Sequence, residues 1–382
     1  MPFNNLTLYN QPVVIDNGSC ILKAGFSGED IPRCMEYSLR GQLKYDHYLE
    51  SGKPKTGISN PKGRDTYIGN KAQEIRALLN LDYIMEHGIV KDWDAMEQLW
   101  EYVFSDLLSL NTFEEHPLLI TEAPHNPTSN RRRMEEILFE KFRFPAVYVA
   151  NPAVLSLYSR GDTTGCVLDC GDGYCCTVPV YEGFSLSSAT QRIDIGGREL
   201  TEQLQLLLRQ TAGVSLLSNS ERELVRTIKE RGCYVSPNVG DQLEDNDSTL
   251  DSCPSRFKLP DGQVISLGNI SYRIPEILFD PQLINSDFQG VSDICFQAIR
   301  RTDIDIRSKL SLNIILAGGS TMFRGFGPRL LRGLESLSDK KMKFRIVAPP
   351  ERKYTAWIGG SVLTGVPAFS KLWRTREDWS LV

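Results

Sequence analysis

The sequence predicts an α/β protein built from two similar halves, and three observations lead there. The stretch Leu168-Asp169-Cys170-Gly171-Asp172-Gly173-Tyr174-Cys175-Cys176 lies between two apolar runs, Thr164 to Leu168 and Thr177 to Tyr181, and reads as a hairpin with an acidic tip. The same plan occurs near the N-terminus, from Pro12 to Phe26: apolar strand, Asp16, Gly18, small polar Ser19 and a returning strand, here with Lys23. Third, Asn313 to Ala317 reads as a buried strand running into Gly318-Gly319-Ser320 and then a helix, the doubly wound way to bring backbone against a ligand at the carboxyl ends of strands.

The hairpins suggest a chemistry. Glycines at 171 and 173 let backbone N–H groups approach an anion, while carboxylates at 169 and 172 can hold a hydrated divalent cation. That combination suits a magnesium-bound nucleotide. Asp-Gly turns also occur in hairpins with no role beyond the turn, so one copy is weak evidence. Two copies imply two halves facing a shared cleft, able to clamp a triphosphate from both sides with Lys23 as a point charge.

Composition bounds the alternatives. At 382 residues the chain can bury at least two cores, and 41% hydrophobic with 24% charged residues is ordinary for a globular protein. A net charge of −5 gives no general attraction to nucleic acid or anionic membrane. No apolar run reaches transmembrane length and Met1 to Asn5 lacks the plan of a signal peptide, so the expectation is a soluble, intracellular protein. The nine cysteines, with Cys166 and Cys233 read inside apolar strands, are expected to be reduced structural thiols. Cys170, Cys175 and Cys176 have no second Cys or His pair at zinc spacing. His47, His87, His116 and His125 are scattered and build no Ser/His/Asp constellation.

Along the chain, residues 1–12 read as a loose polar arm and 42–66 as a long irregular stretch with Lys53 and Lys55, of the kind that often contacts a partner. Periodicity predicts helices over Lys71–Leu79 and Trp93–Leu108, then a strand from His116 to Glu122. A helix capped within Asn126–Asn130 runs through Phe142; its Arg131-Arg132-Arg133 opening is followed by acids and reads as a solvated face. Pro145–Ala150 is a strand and Pro152–Ser159 a short helix. Helices follow over Glu199–Thr211 and Asn219–Glu230, an acidic loop over 236–252, and a hairpin over Ser255–Leu267 turning at Pro260-Asp261-Gly262.

Asp16-Asn17-Gly18-Ser19, Lys23-Ala24-Gly25-Phe26, Glu86-His87-Gly88-Ile89, Thr121-Glu122-Ala123-Pro124, Ala153 to Tyr158, Asp169 to Gly173, Gly318 to Thr321 and Ala348 to Tyr354 together resemble the actin family, from about residue 12 to 376. A finer likeness, carried by Gln11 to Asp16, Val90 to Trp93 and Gly319 to Gly327, is to the actin-related branch that builds the short filament of dynactin. The resemblance implies an actin-like ATPase fold: two α/β lobes around a nucleotide cleft, each with a smaller inserted subdomain. The implied boundaries are 1–37, 84–159 and 355–382 for subdomain 1; 38–83 for subdomain 2; 160–195 and 287–354 for subdomain 3; and 196–286 for subdomain 4.

It also implies ATP or ADP with Mg2+ or Ca2+. Gly18, Ser19 and Lys23 match the first phosphate loop and Asp172 and Gly173 the second. Gly197, Lys229, Glu230, Gly318, Gly319, Met322, Phe323 and Lys353 match positions around ribose and adenine. Asp16 and Asp169 match the acids that hold the metal's water shell, and Asp169 is the candidate for any catalytic role.

The departures are informative. Cys20 and Cys170 stand where the family has glycine and serine. Pro152 and Cys176 stand where actin has the glutamine and histidine that orient the attacking water. Proline has no side-chain donor or acceptor and a thiol is a poor one, so hydrolysis is expected to be slow or absent. The loss amounts to roughly 3–5 kcal/mol of barrier. Asn151 is the candidate to take over by a small backbone shift.

The implied partners are copies of the chain joined head to tail, other dynactin subunits, end-capping proteins and, indirectly, dynein, with no nucleic acid and no membrane insertion. The loop 42–66 takes the place of actin's protomer-contacting loop, and Phe279 to Ile284 that of its plug region. Two other readings are an ATP-hydrolysing polymer like conventional actin, against which Pro152 and Cys176 speak, and a nuclear relative in a chromatin complex. Sugar kinases and chaperones of the wider superfamily would need a second substrate motif or a peptide-binding domain, neither of which is visible.

Overall fold

Runs of buried β-branched and aliphatic residues set the sheets. The structure, a computed structural model, describes residues 10–44, 58–59, 65–216, 218–236, 256–339 and 342–380. It divides into two units, Met1–Thr163 with Tyr354–Val382, and Thr164–Lys353.

In the first unit the strand order is Arg374–Thr375, Ala146–Ala150, Leu118–Thr121, Val13–Asn17, Ile21–Phe26 and Cys34–Tyr37. Val13–Asn17 pairs antiparallel with its hairpin partner and parallel with Leu118–Thr121, which is parallel in turn to Ala146–Ala150. Val13, Val14 and Ile15 are fully buried, as a strand covered on both faces requires. One face carries a core that includes Trp100, Phe104, Phe139 and Phe144; the other carries Trp357 and Leu155. A separate small sheet joins Ile58–Ser59, Asp65–Ile68, Leu39–Leu43 and Leu79–Tyr83.

The second unit repeats the plan. Gly165–Cys170 pairs antiparallel with Cys175–Tyr181 and parallel with Ile314–Ala317, whose other neighbour is Ile346–Val347. Its core draws in the helices Gly197–Ala212, Asn219–Gly232, Val291–Arg300 and Phe326–Leu337. In both units the hairpin tip therefore sits at the carboxyl end of a strand that has a parallel neighbour.

Several expectations are corrected. The helix predicted over Lys71–Leu79 runs from Gly69 to Glu74; a short 3-10 turn follows, and Leu79–Tyr83 is a strand paired with Leu39–Leu43. Leu79 and Leu81 are buried while Asn80 and Asp82 are exposed, so the period-two pattern prevails there. The helices Trp93–Glu101 and Thr128–Glu136 continue as π-helical turns over Tyr102–Leu107 and Ile137–Lys141. The latter helix has no side-chain cap, because its N-cap residue is Pro127; Asn126, one residue earlier, donates to Glu122 and accepts from the Asn130 amide. Cys233 is not in a strand: it is buried at the C-terminal cap of Asn219–Gly232.

Residues 10–12 are docked, not loose. Asn10 donates to Glu115 at 2.7 Å, Gln11 donates to the Ser27 carbonyl, and His116 Nδ1 bonds the Gln11 carbonyl at 2.8 Å. Residues 1–9, most of the stretch 42–66 and the acidic loop from 237 lie outside the described residues. The hairpin turning at 260–262 is present as Arg256–Lys258 and Val264–Ser266, with Gly262 at φ 90°. Among the described residues no helix is long and apolar enough to cross a membrane.

Glycine lets the helix Thr355–Thr364 pack closely on the helix Pro152–Tyr158 in the first unit. A Cβ on Gly359 would lie 1.7 Å from the Leu155 carbonyl oxygen, and Trp357 Nε1 donates to the Val14 carbonyl at 3.0 Å. Gly359→Ala is expected to lower stability by about 1–3 kcal/mol through overpacking. Gly365→Ala, whose Cβ would meet atoms only at ordinary contact distance, is expected to stay within about 0.5 kcal/mol of the parent. Thermal melts of the two variants check the pair.

Candidate functional site

The first hairpin is tied together by side chains. Asp16 and Lys23 are direct cross-strand partners, and Lys23 Nζ donates to Asp16 Oδ2 at 2.5 Å with both residues buried. The other carboxylate oxygen, Oδ1, accepts from Thr121 Oγ1 at 2.9 Å, and Thr121 Oγ1 accepts from the Asn17 N–H at 2.9 Å. A hydroxyl at the end of the parallel strand thus links the carboxylate to the tip backbone. Gly18 is required by space, since a Cβ would lie 2.5 Å from the Ile21 carbonyl oxygen. Ser38 Oγ donates to the Gly18 carbonyl at 2.8 Å, and Ser19 Oγ accepts from the Gly88 N–H at 3.1 Å. His87 and Gly88 both have positive φ, which turns that N–H toward Ser19.

The second hairpin is braced by backbone. The Gly171 N–H donates to the Tyr174 carbonyl at 3.0 Å and closes the tip. The Gly171 carbonyl accepts from the Gly197 N–H at 3.0 Å and from Ser320 Oγ at 2.7 Å; the Asp172 carbonyl accepts from the Arg198 N–H at 2.9 Å. Built Cβ positions show how close the elements lie: on Gly197 it would sit 3.1 Å from Asp172 Oδ1, Lys229 Nζ and Ser320 Oγ. On Gly318, at φ 85°, it would sit 2.4 Å from Asp169 Oδ1. Lys229 is buried and donates to the Gly197 carbonyl and, at 2.9 Å, to Thr201 Oγ1.

Asp16, Gly18, Ser19 and Lys23 are therefore gathered in one unit, and Asp169, Asp172, Gly197, Lys229 and Gly318 in the other. Gly173 completes the second tip, and Gly319 opens onto free space. Phe323 packs into the core, Met322 is exposed and Lys353 is half-buried. Glu230 is exposed and pairs with Arg226 at 3.7 Å. Thr121 and Ser320, which stand inside the sequence motifs without an assigned role, complete the brace with Ser38 and Thr201, which the sequence did not single out. A hydroxyl at the carboxyl end of an apolar strand was a signal for Thr121; Ser38 and Thr201 carried none.

The departures from actin have a structural account. Pro152 opens the helix Pro152–Tyr158, where its missing N–H costs nothing, and Asn151 Oδ1 caps that helix by accepting from the Ala153 N–H at 3.0 Å. Cys176 is fully buried opposite Asp169, and burial, then the nearby Asp169 charge, push its thiol well above the usual range. It is a neutral S–H.

The residues fit a phosphate-bearing ligand with a cation. Asn17 Oδ1 is buried at the first tip with no hydrogen-bond partner, an oxygen ready for a water or cation. At the second tip a Cβ on Gly171 would meet only the Tyr174 carbonyl oxygen, at 3.7 Å, so the backbone there is open to an approaching group. Among the described residues no group of three or more His, Cys, Asp and Glu is placed to hold a metal ion.

Two α/β units, each with an acidic, glycine-tipped hairpin on a strand with a parallel neighbour, make an α/β protein of the class suited to a phosphate-bearing ligand. The family model described as Actin matches residues 7–380, and the chain belongs to the actin family. Centractin of Saccharomyces cerevisiae is 54% identical to it over 376 residues, 98% of this chain and 96% of that protein. An actin-like protein of Neurospora crassa is 45% identical over the same shares. Membership implies nucleotide and divalent-cation binding in general.

Thr121→Val removes the hydroxyl shared by Asp16 and Asn17 while keeping the side chain's volume. Leaving that buried acceptor and donor unmade is expected to cost about 1–3 kcal/mol, read as a lower Tm.

Proposed function

We propose that the chain is a structural, nucleotide-binding filament subunit of the cytoplasm. It takes ATP or ADP with magnesium or calcium and joins copies of itself head to tail. Its place is the short filament of dynactin, beside end-capping and other dynactin subunits, in support of dynein-driven transport along microtubules. Membership in the actin family, the relative named centractin and the motifs shared with that branch support this reading.

Within it, Gly18, Ser19, Lys23, Asp172 and Gly173 hold phosphates, and Asp16 and Asp169 orient the water shell of the cation. Gly197, Lys229, Glu230, Gly318, Gly319, Met322, Phe323 and Lys353 surround ribose and adenine. The bound nucleotide and cation supply the phosphoryl group and its charge compensation. The nucleotide is a structural ligand turned over slowly, and one observation carries that part: Asn151 Oδ1 is committed to capping its own helix. Pro152 beside it has no side-chain donor or acceptor and Cys176 is a buried neutral thiol, so the one amide at these positions is oriented by its cap and not toward a water.

A single-turnover phosphate-release assay on protein loaded with ATP and magnesium, read beside electron micrographs of the same sample, tests the proposal. Short filaments that retain ATP, or form ADP only over hours, are expected. Prompt release coupled to assembly would mean a working actin-like ATPase and would overturn the reading. Asn151→Ala is expected to lose about 1 kcal/mol of stability as a lost cap and to leave the release rate unchanged.

A further inference from the structure

The second hairpin carries sulfur that the nucleotide reading does not use. Cys170 and Cys175 are register partners on the two strands, both fully buried and both free thiols that hydrogen-bond each other. The Gly171 N–H to Tyr174 carbonyl bond makes Gly171 and Tyr174 a hydrogen-bonded pair. Ladder pairs alternate, so Cys170 and Cys175, one step back, form a non-hydrogen-bonded pair. In such a pair the Cα atoms lie about 4.5 Å apart and side chains approach most closely. A disulfide accepts Cα separations of about 4.4–6.8 Å, so the two sulfurs can join without moving the strands.

Competing pairs are less well set. Cys176 follows Cys175 directly and so points to the opposite face of the strand, opposite Asp169, while Cys170 and Cys175 share the core face with Cys166 and Leu168. Cys166 and Cys295 also hydrogen-bond, but they join the strand Gly165–Cys170 to the helix Val291–Arg300, away from the hairpin tip. Cys170 and Cys175 flank the half-buried tip residues Gly171, Asp172 and Tyr174, and reaching the two fully buried sulfurs requires a local opening of this short loop.

We propose that Cys170 and Cys175 are a redox modification site, oxidised by a low-molecular-weight disulfide of the glutathione type to a cross-strand disulfide that staples the hairpin behind its tip. One sulfur, uncovered by opening and attacking as thiolate, bonds to a glutathione sulfur and expels the other glutathione as a thiolate, which takes up the displaced proton. The second cysteine sulfur then attacks the first, expelling the remaining glutathione in the same way. Two protein thiols are oxidised and one glutathione disulfide is reduced to two thiols. The bond removes the freedom of the loop holding Asp172 and Gly173 to open. It forms whether or not a nucleotide binds, so its detection is independent of the function proposed above.

The test incubates the full chain with oxidised glutathione, blocks remaining thiols by alkylation after denaturation, and cleaves before Asp172 without reduction. That cut separates Cys170 from Cys175, so their fragments stay joined only through the bond. The expected result is a joined pair that falls apart with dithiothreitol, with Cys176 alkylated, and the same joined pair in Cys176→Ala. Alkylation of both Cys170 and Cys175, or a product dominated by Cys166–Cys295 or Cys175–Cys176, overturns the proposal. Because the wild-type chain gives the primary readout, misfolding of the variant does not weaken the test.

Discussion

The second unit depends on one close approach of backbone to backbone. Gly196 and Gly197, at the start of a helix, lie against the tip of the hairpin so tightly that a Cβ on Gly196 would fall 2.5 Å from the Asp172 carbonyl oxygen. Only that proximity lets the Gly197 and Arg198 N–H groups bond the Gly171 and Asp172 carbonyls. The helix N-terminus, whose amides have no partner inside the helix, meets the tip carbonyls of Gly171, which Ser320 Oγ also reaches, and of Asp172. The strand into Gly318 completes the arrangement, because its positive φ turns the chain beside Asp169.

The first unit solves the same problem with side chains. Asp16 is held by Lys23 across the strand pair and by Thr121 from the parallel neighbour, and the tip carbonyl of Gly18 is met by Ser38. In the second unit Asp172 has a charged partner in Arg198 at 3.7 Å, and backbone at the start of the helix Gly197–Ala212 bonds the tip carbonyls. The two units thus share topology but differ in what makes the tip rigid. A buried ion pair holds its geometry because removing either partner strands the other charge out of water.

The cysteines belong to the same account. Cys170, Cys175 and Cys176 are small, polarizable residues filling a strand pair that is buried on both faces, and each is fully covered. Space there suits a thiol as well as a hydroxyl. At Cys176 the exchange has a chemical consequence, since a neutral S–H beside Asp169 is a weak partner for water.

The doubled hairpin, the buried strands and the run into Gly318-Gly319 were legible because period-two burial and glycine turns are local properties of a chain. The helix boundary at Glu74 was not, because pairing of Leu79–Tyr83 with Leu39–Leu43 is a contact between distant segments that outweighs local helical preference. Asn126 reads as a cap by type but bonds Glu122, and Asn151 reads as a substitute for a missing glutamine but caps its own helix. Side-chain amides serve whichever partner geometry offers. By itself the sequence determined which residues carry charge, glycine freedom and strand periodicity, and so the class of fold and the composition of both tips. Only the tertiary structure decided which donor meets which acceptor, because a hydrogen bond is set by distances of a few tenths of an ångström between segments that the sequence keeps far apart.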